Sequence, residues 1–388
     1  MNISVFNGAG QVDYMYGLVS GLAQNKSDNI DVLDVDLTLE LFKPFSNVVY
    51  YPVFRVPDKK TSVFAKALNI FRFYYQQISF LIFHKKRIVH FQWLDRYKFI
   101  DRIILPSVAR LFGHKVVLTV HNINSGKRDN RDTWGNRMSL RILYKLAHRL
   151  IVHTVQSKDE LLKEFPTRES KVKIIKHGMN NRVAKSGITF AEARQKFGIA
   201  ENEKVLLFFG NIDYYKGLDI LIDSYSNMPD DFLKNSKLLI AGNSKSAEFT
   251  SIIKNKIDSP KIREKVILNF GYVPDEDVES YFMAADCIIL PYRDIYQSGV
   301  IFMAYTFGLP IIVSDIGNFK NDMVEGETGF LIKSTDPVQV TETLLAYFNS
   351  EVYKNLPKSR EKIKDWAWQN YSWDAIGIET RKLYESIY

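Results

Sequence analysis

Short apolar runs recur along the chain, each ended by glycine, proline or a polar pair. They lie at 2–6, 30–37, 88–93, 115–120, 149–153, 173–175, 204–209, 237–241, 266–270, 287–290 and 311–313. Several are apolar at nearly every position, the pattern of strands buried on both faces of a parallel sheet. Between them, apolar residues recur at three- and four-residue spacing, which predicts helices over 12–24, 61–84, 103–112, 136–146, 193–197, 300–307 and 337–349, with a terminal helix ending at Tyr388. Another strand is expected after Gly329, and Ser157-Lys-Asp-Glu160 reads as a capping box. Strands alternating with helices predict α/β architecture. The series breaks once, at a linker-like stretch over 181–192, and then restarts. Two Rossmann-like domains are therefore expected, 1–185 and 200–365, with a final segment 366–388.

At 388 residues, 46% of them hydrophobic, the chain is long enough for two sizeable cores. Cys287 is the only cysteine, so an intrachain disulfide or a cysteine metal site is excluded, which suits a reducing cytoplasm. The first residues, MNISVFNGAG, lack the pattern of a secretory signal, and the apolar run 78–83 is far too short to span a membrane. Charge is unevenly spread. Residues 1–190 hold 30 basic and 15 acidic side chains, a net of +15, whereas 191–388 hold 22 and 29, a net of −7. A basic first half points to an anionic partner there. The helix over 61–84, closed by Lys85-Lys86-Arg87, reads as a core helix with a basic end, or as a face for anionic lipid.

Chemistry concentrates in 287–329. A strand ends at Pro291, Ser298 and Gly299 open a helix, Gly308 and Pro310 close it, and another strand follows. A helix opening straight after a strand offers free backbone N–H groups and the positive end of its dipole to a diphosphate. At the chain start, the strand over 2–6 leads into Asn7-Gly8-Ala9-Gly10 and a helix. The third glycine of a dinucleotide fingerprint is missing, so NAD is not implied. Gly8 and Gly10 instead allow a ligand or a facing domain close to the backbone. Asp34-Val-Asp36 has the spacing of a metal-binding acidic pair, but it sits at a strand end and no metal site is assigned.

Together these motifs resemble the retaining glycosyltransferases of GT-B family four. The matching residues are Pro291-Tyr292, Ser298-Gly299-Val300, Gly308-Leu309-Pro310, Asp315-Ile-Gly317 and Gly326-Glu-Thr-Gly329. To these add the strand ending at Gly210, then Lys216-Gly217-Leu-Asp219-Ile-Leu221, and the Ser-Trp at Trp373. The resemblance is strong over 204–329 and weaker before 115. It implies a GT-B fold, two facing domains with an interdomain cleft, and a last helix crossing back to the first domain. It implies an acceptor-binding first domain and a second domain that binds a nucleotide-diphosphate sugar as co-substrate, with no further cofactor and no metal.

As the resemblance implies them, the catalytic residues are His121, at a strand end facing the donor sugar, and Lys216, against the diphosphate. Donor-binding residues are Gly8, Gly10, Gly210, Asn211, Lys216, Tyr272 and Val273 by the base, Asp294, Ser298, Gly299, Val300 and Met303. Two departures stand out. The family's Glu pair falls at Ile295 and Met303, with Asp294 next to the first slot, and the arginine expected after Gly210 is Asn211. The expected function is retaining sugar transfer to a glycan or polyprenyl-pyrophosphate-linked acceptor, in bacterial surface polysaccharide assembly. Such an enzyme would be cytoplasmic, peripheral on the inner face of an anionic membrane. A catalytically degenerate GT-B subunit that supports a partner transferase is the alternative, with a nucleotide-sugar epimerase behind it. No nucleic-acid partner is expected.

Overall fold

A computed structural model of the chain describes residues 1–8, 11–35, 39–54, 62–94, 96–124, 126, 132–183, 185–244 and 246–388. Gly10 and Asp36 lie outside them. The chain divides into two compact units, Met1–Gly178 with Tyr371–Tyr388, and Met179–Asn370.

The first unit holds a seven-stranded sheet. Its strands are β1 (Asn2–Phe6), β2 (Asn29–Val35), β3 (Val48–Phe54), β4 (Ile88–Phe91), β5 (Lys115–Thr119), β6 (Arg149–Val152) and β7 (Val172–Ile174). The order is β3-β2-β1-β4-β5-β6-β7, and every pair is parallel. β1 and β4 are buried along nearly their whole length, as their apolar runs predict. The strand order reverses between β1 and β4, so a crevice opens beyond their carboxyl ends.

Helix Trp373–Glu385 packs on helix Val12–Leu22. Glycines make that approach possible. A Cβ on Gly17 would fall 2.0 Å from the Trp373 indole, and one on Gly21 would fall 2.1 Å from the Trp373 carbonyl oxygen. The helix is tied further by Arg381, whose Nε donates to Asp28 Oδ2 at 2.6 Å.

The second unit repeats the topology with six strands: β8 (Lys204–Phe209), β9 (Ser236–Gly242), β10 (Val266–Phe270), β11 (Cys287–Leu290), β12 (Ile311–Ser314) and β13 (Gly329–Ile332). The order β10-β9-β8-β11-β12-β13 is again fully parallel, with its reversal between β8 and β11. A buried ion pair locks this reversal from behind. Arg194 donates to both Asp286 oxygens at 2.9 and 3.0 Å, and the Val205 amide donates to the same carboxylate at 2.7 Å.

Several sequence expectations are corrected. Strand β3 and the short helix Leu39–Phe42 were not anticipated. β3 contains Pro52, which reads as a breaker but is tolerated because β3 is an edge strand. The helix expected over 103–112 begins earlier, as a π turn at Ile100–Ile104, and continues as Leu105–Leu111. The cap near Ser157 is Thr154, whose hydroxyl accepts from the Ser157 amide at 2.9 Å. A separate helix, Leu356–Tyr371, precedes the last one, and the chain breaks between them at Ser372. No helix among the described residues is long and apolar enough to cross a membrane.

Candidate functional site

In the second unit the residues gather where β8 and β11 end. After Gly210, Asp213 caps a single 3-10 turn, Tyr214–Lys216. Gly217 then adopts φ +66°, and a Cβ there would lie 2.0 Å from the Pro291 carbonyl oxygen, so only glycine lets this turn seat against the end of β11. Arg293, in the loop after β11, fastens the two loops together. Its backbone amide donates to Tyr215 O at 2.7 Å and its Nη1 to Tyr214 O at 2.7 Å. The same guanidinium forms a fork with Asp219, at 2.8 and 2.6 Å, and lies 4.1 Å from the Tyr214 ring centre.

This scaffold places Lys216 in an unusual position. The side chain is 7% exposed, and its Nζ lies 5.3 Å from the Tyr292 ring centre and 6.0 Å from that of Tyr215. Among the described residues it has no hydrogen-bond acceptor and no carboxylate partner. Burial lowers its pKa, while Tyr215 and Asp213 oppose this through space. A buried ammonium beside ring faces and without a salt bridge among the described residues costs several kcal/mol, and an anion beside it would offset that cost.

The Gly299–Thr306 helix starts beside it. A Cβ built on Gly210 would lie 3.4 Å from Lys216 Nζ and 3.4 Å from Val300 Cγ2, so the ammonium and the first helical turn flank one point. Ser298 is buried and caps the helix, accepting from the Val300 amide at 3.4 Å. A Cβ on Gly299 would meet nothing within 4 Å, so no protein packing demands the glycine. A helix N-terminus, a buried cation and an open glycine together have the chemistry of an anion site of the diphosphate kind.

The other expected residues are more scattered. Asn211 and Asp294 are exposed, and Met303 is half-buried. Tyr272 follows β10, two strands from β8, and is 75% exposed, while Val273 is buried. Two residues were missed by sequence reasoning. Arg293 is one. Asp322 is the other: it is buried and accepts from Gln297, in the loop before Ser298, at 3.3 Å. Both act through partners at least 25 residues away, which no local pattern records.

In the first unit, Gly8 takes φ +59° in the turn after β1, against the Trp93 carbonyl. Three successive strands carry a histidine just past their carboxyl ends: His121 after β5, His153 after β6 and His177 after β7. They surround Tyr14, with ring centres 4.6, 5.2 and 5.1 Å from it. His153 Nδ1 lies 2.9 Å from Ile175 O, and its Nε2 lies 3.4 Å from His121 Nδ1. Burial pushes His153 down to about 3 and His177 to about 4. His121 is half-buried and is held well below its ordinary value, first by desolvation and then by the neighbouring imidazoles. It lines a cavity of about 60 Å³ with Gln92, Trp93, Thr119 and Asn122. Among the described residues, no three His, Cys, Asp or Glu side chains are grouped to hold a metal ion.

Residues 189–367 match the family described as glycosyl transferases group 1, and this segment falls inside the second unit. Over 378 residues the chain is 22% identical to the uncharacterized glycosyltransferase MJ1607 of Methanocaldococcus jannaschii, covering 95% of this chain and 92% of that one. It is also 22% identical over 268 residues to a D-inositol 3-phosphate glycosyltransferase of Corynebacterium aurimucosum, covering 68% of this chain and 63% of that protein. Among solved structures, it superposes on Anabaena HepE in complex with UDP and glucose at a TM-score of 0.74, with 16% identity and full coverage of both chains. Sucrose-phosphate synthase from Thermosynechococcus elongatus gives 0.73, again at 16% identity, covering 100% of this chain and 99% of that one. These likenesses identify the fold as GT-B.

Proposed function

From the match of residues 189–367 to the glycosyl transferases group 1 family we propose that the chain is a retaining glycosyltransferase using a nucleotide-diphosphate sugar. One observation carries the reading: a buried Lys216 ammonium without an anionic partner among the described residues, beside the mouth of the Gly299–Thr306 helix. The donor diphosphate lies there, held by Lys216 and the amides at Gly299 and Val300. HepE, of the same fold, was solved with UDP and glucose, which favours a uridine donor.

In the proposed reaction the bond from the sugar's anomeric carbon to the β-phosphate oxygen breaks. The acceptor oxygen bonds to that carbon on the same face, and its proton passes to the departing phosphate. The protein positions the reactants and stabilises the leaving charge, and supplies neither a base nor a metal. Lys216 and the helix amides act on the diphosphate. His121 addresses the donor sugar. Gly210, Asn211 and Ser298 shape the phosphate site, Tyr272 and Val273 flank the base, and Asp294 and Met303 stand near the ribose. Gly8 leaves room beside the sugar.

The acceptor is a glycan or a pyrophosphate-linked lipid, met at the inner face of an anionic membrane during surface polysaccharide assembly. The Val63–Phe83 helix supports this. One stripe of it packs inward through Phe73, Tyr74, Gln77, Phe80 and Leu81. A second, formed by Phe64, Leu68, Phe71, Tyr75 and Ile82, is apolar too and exposed, where an ordinary surface helix would be polar. The helix carries no acidic residue, and exposed Lys85 and Lys86 follow it. Sedimentation with anionic but not neutral vesicles, weakening with salt, is the expected behaviour. Equal binding to both sinks the membrane part.

Ile295 and Met303, standing where the family has its Glu pair, favour the second reading of a degenerate subunit. Lys216 argues against it, since a lysine buried without an anion destabilises a protein that no longer needs one. Incubation with UDP-, GDP- and ADP-sugars, with the product's anomeric configuration read by NMR, tests the proposal. Turnover with retention supports it, and inversion overturns it. Failure of every donor to bind or hydrolyse leaves the subunit reading.

A further inference from the structure

We infer that His153 is a positioning residue that fixes the tautomer of His121, so that His121 presents an unprotonated Nε2 as a hydrogen-bond acceptor for a hydroxyl group. The inference about the tautomer stands on the first unit alone. Its consequence for catalysis rests on the glycosyltransferase reading.

Three atoms fix the positions of the protons. The Ile175 carbonyl can only accept, so His153 Nδ1, at 2.9 Å, must carry a proton. His153 is 8% exposed among uncharged rings, and burial holds it neutral. A neutral imidazole with its proton on Nδ1 has a lone pair on Nε2. That lone pair faces His121 Nδ1 at 3.4 Å, so His121 Nδ1 is the donor. Desolvation and the neighbouring imidazoles keep His121 neutral as well, so its one proton stays on Nδ1. Its Nε2 is then an acceptor and has no hydrogen-bond partner among the described residues. The backbone sets this chain up: β5 and β6 are in register, Thr119 beside Ile151, which brings residues 121 and 153 side by side. The same logic applies in metal sites, where the second imidazole nitrogen's bond decides the tautomer of the first.

The consequence is chemical selectivity. An imidazole of this tautomer accepts from a sugar hydroxyl and cannot donate to a sugar or phosphate oxygen. The Tyr14 ring edge at 4.6 Å and Trp93 at 5.6 Å between ring centres hold the plane of the His121 ring. His153 itself touches no reacting atom in this account.

Two variants and one spectroscopic readout test it. In the wild-type protein, two-bond ¹H–¹⁵N correlation spectra of His121 at neutral pH should show the Nδ1–H form. His153→Asn keeps an N–H for Ile175 O but removes the acceptor facing His121. It should move His121 toward the Nε2–H form that free imidazoles favour, and lower kcat/KM on the order of tenfold with little change in nucleotide binding. His153→Gln can return an acceptor oxygen to that place and should restore both signals in part. His121 found as Nε2–H in the wild type, or unmoved in His153→Asn, overturns the inference. Binding of UDP to the variants shows that the second unit is still folded. The tautomer is read without substrate, so its failure sinks this inference alone, whereas absence of turnover on every donor sinks the reading it rests on.

Discussion

The two units share a strand order and a reversal point, yet they assemble opposite kinds of chemistry there. All seven histidines of the chain lie in the first unit, and the second has none. At the carboxyl ends of β5, β6 and β7, three imidazoles, His153 buried and His121 and His177 half-buried, pack together and are kept neutral. At the ends of β8 and β11, one ammonium is buried with no carboxylate within salt-bridge distance among the described residues. On the proposed reading, the first arrangement suits hydroxyl groups through neutral hydrogen bonds, and the second suits an anion. Topology fixes where a ligand can sit, and the side chains placed at the strand ends decide which ligand it is.

Acid breaks this comparison most strongly. His90 and His153 are buried and their folded pKa values fall to about 3, below the ordinary 6.5. Between those limits the unfolded chain binds more protons than the folded one. The stability they permit is therefore full above about pH 6.5 and declines as the pH falls toward 3. At pH 4.5 the loss is up to about 3 kcal/mol for each. Hydrogen exchange at the amides of β4–β6 should accelerate on acidification well before that of β8 and β11. Parallel acceleration in both units contradicts the contrast.

Arg293→Ala attacks the cationic site without touching the lysine. It unfastens the turn that carries Lys216, leaves Asp219 without its fork, and should weaken UDP binding by about 2–3 kcal/mol. Titration calorimetry reads this, and unchanged affinity would mean the turn is rigid without Arg293. Met303→Glu introduces a carboxylate at a half-buried position where the resemblance expects one. It should tighten UDP binding by about 1.5 kcal/mol through the ribose hydroxyls; weaker binding places the ribose elsewhere. The smallest effect belongs to Asn211→Arg. That position is exposed, so the added charge should improve affinity by about 0.5–1 kcal/mol and do so less at high salt. A salt-independent gain would show that the arginine acts by packing.

The second unit was the more legible in sequence, for local reasons. Lys216-Gly217, Ser298-Gly299 and Gly308-Leu-Pro310 mark turns and caps whose chemistry is complete within a few residues. Arg293 was not legible, because its role depends on Asp219, 74 residues away in sequence. The first unit was harder throughout. Its helix Val63–Phe83 was visible as apolar, but apolar residues on both stripes left its inner face undecided until Phe73 and Leu81 were seen buried and Phe64 and Phe71 exposed. β3 was hidden by Pro52. Histidines at three successive strand ends were present in the sequence as a signal, but His153 acquires a role only once β5 and β6 are known to pair in register.

The most direct test of the account is titration of UDP into the wild-type protein and into Lys216→Met, which keeps the length and apolar stem of the side chain and removes its charge. If the buried ammonium exists to meet a diphosphate, the substitution weakens UDP binding by about 2–4 kcal/mol while leaving uridine binding nearly unchanged. Removal of an unpaired buried charge should also leave the protein at least as stable as before. Equal UDP affinity in the two proteins, with both folded, would contradict the account.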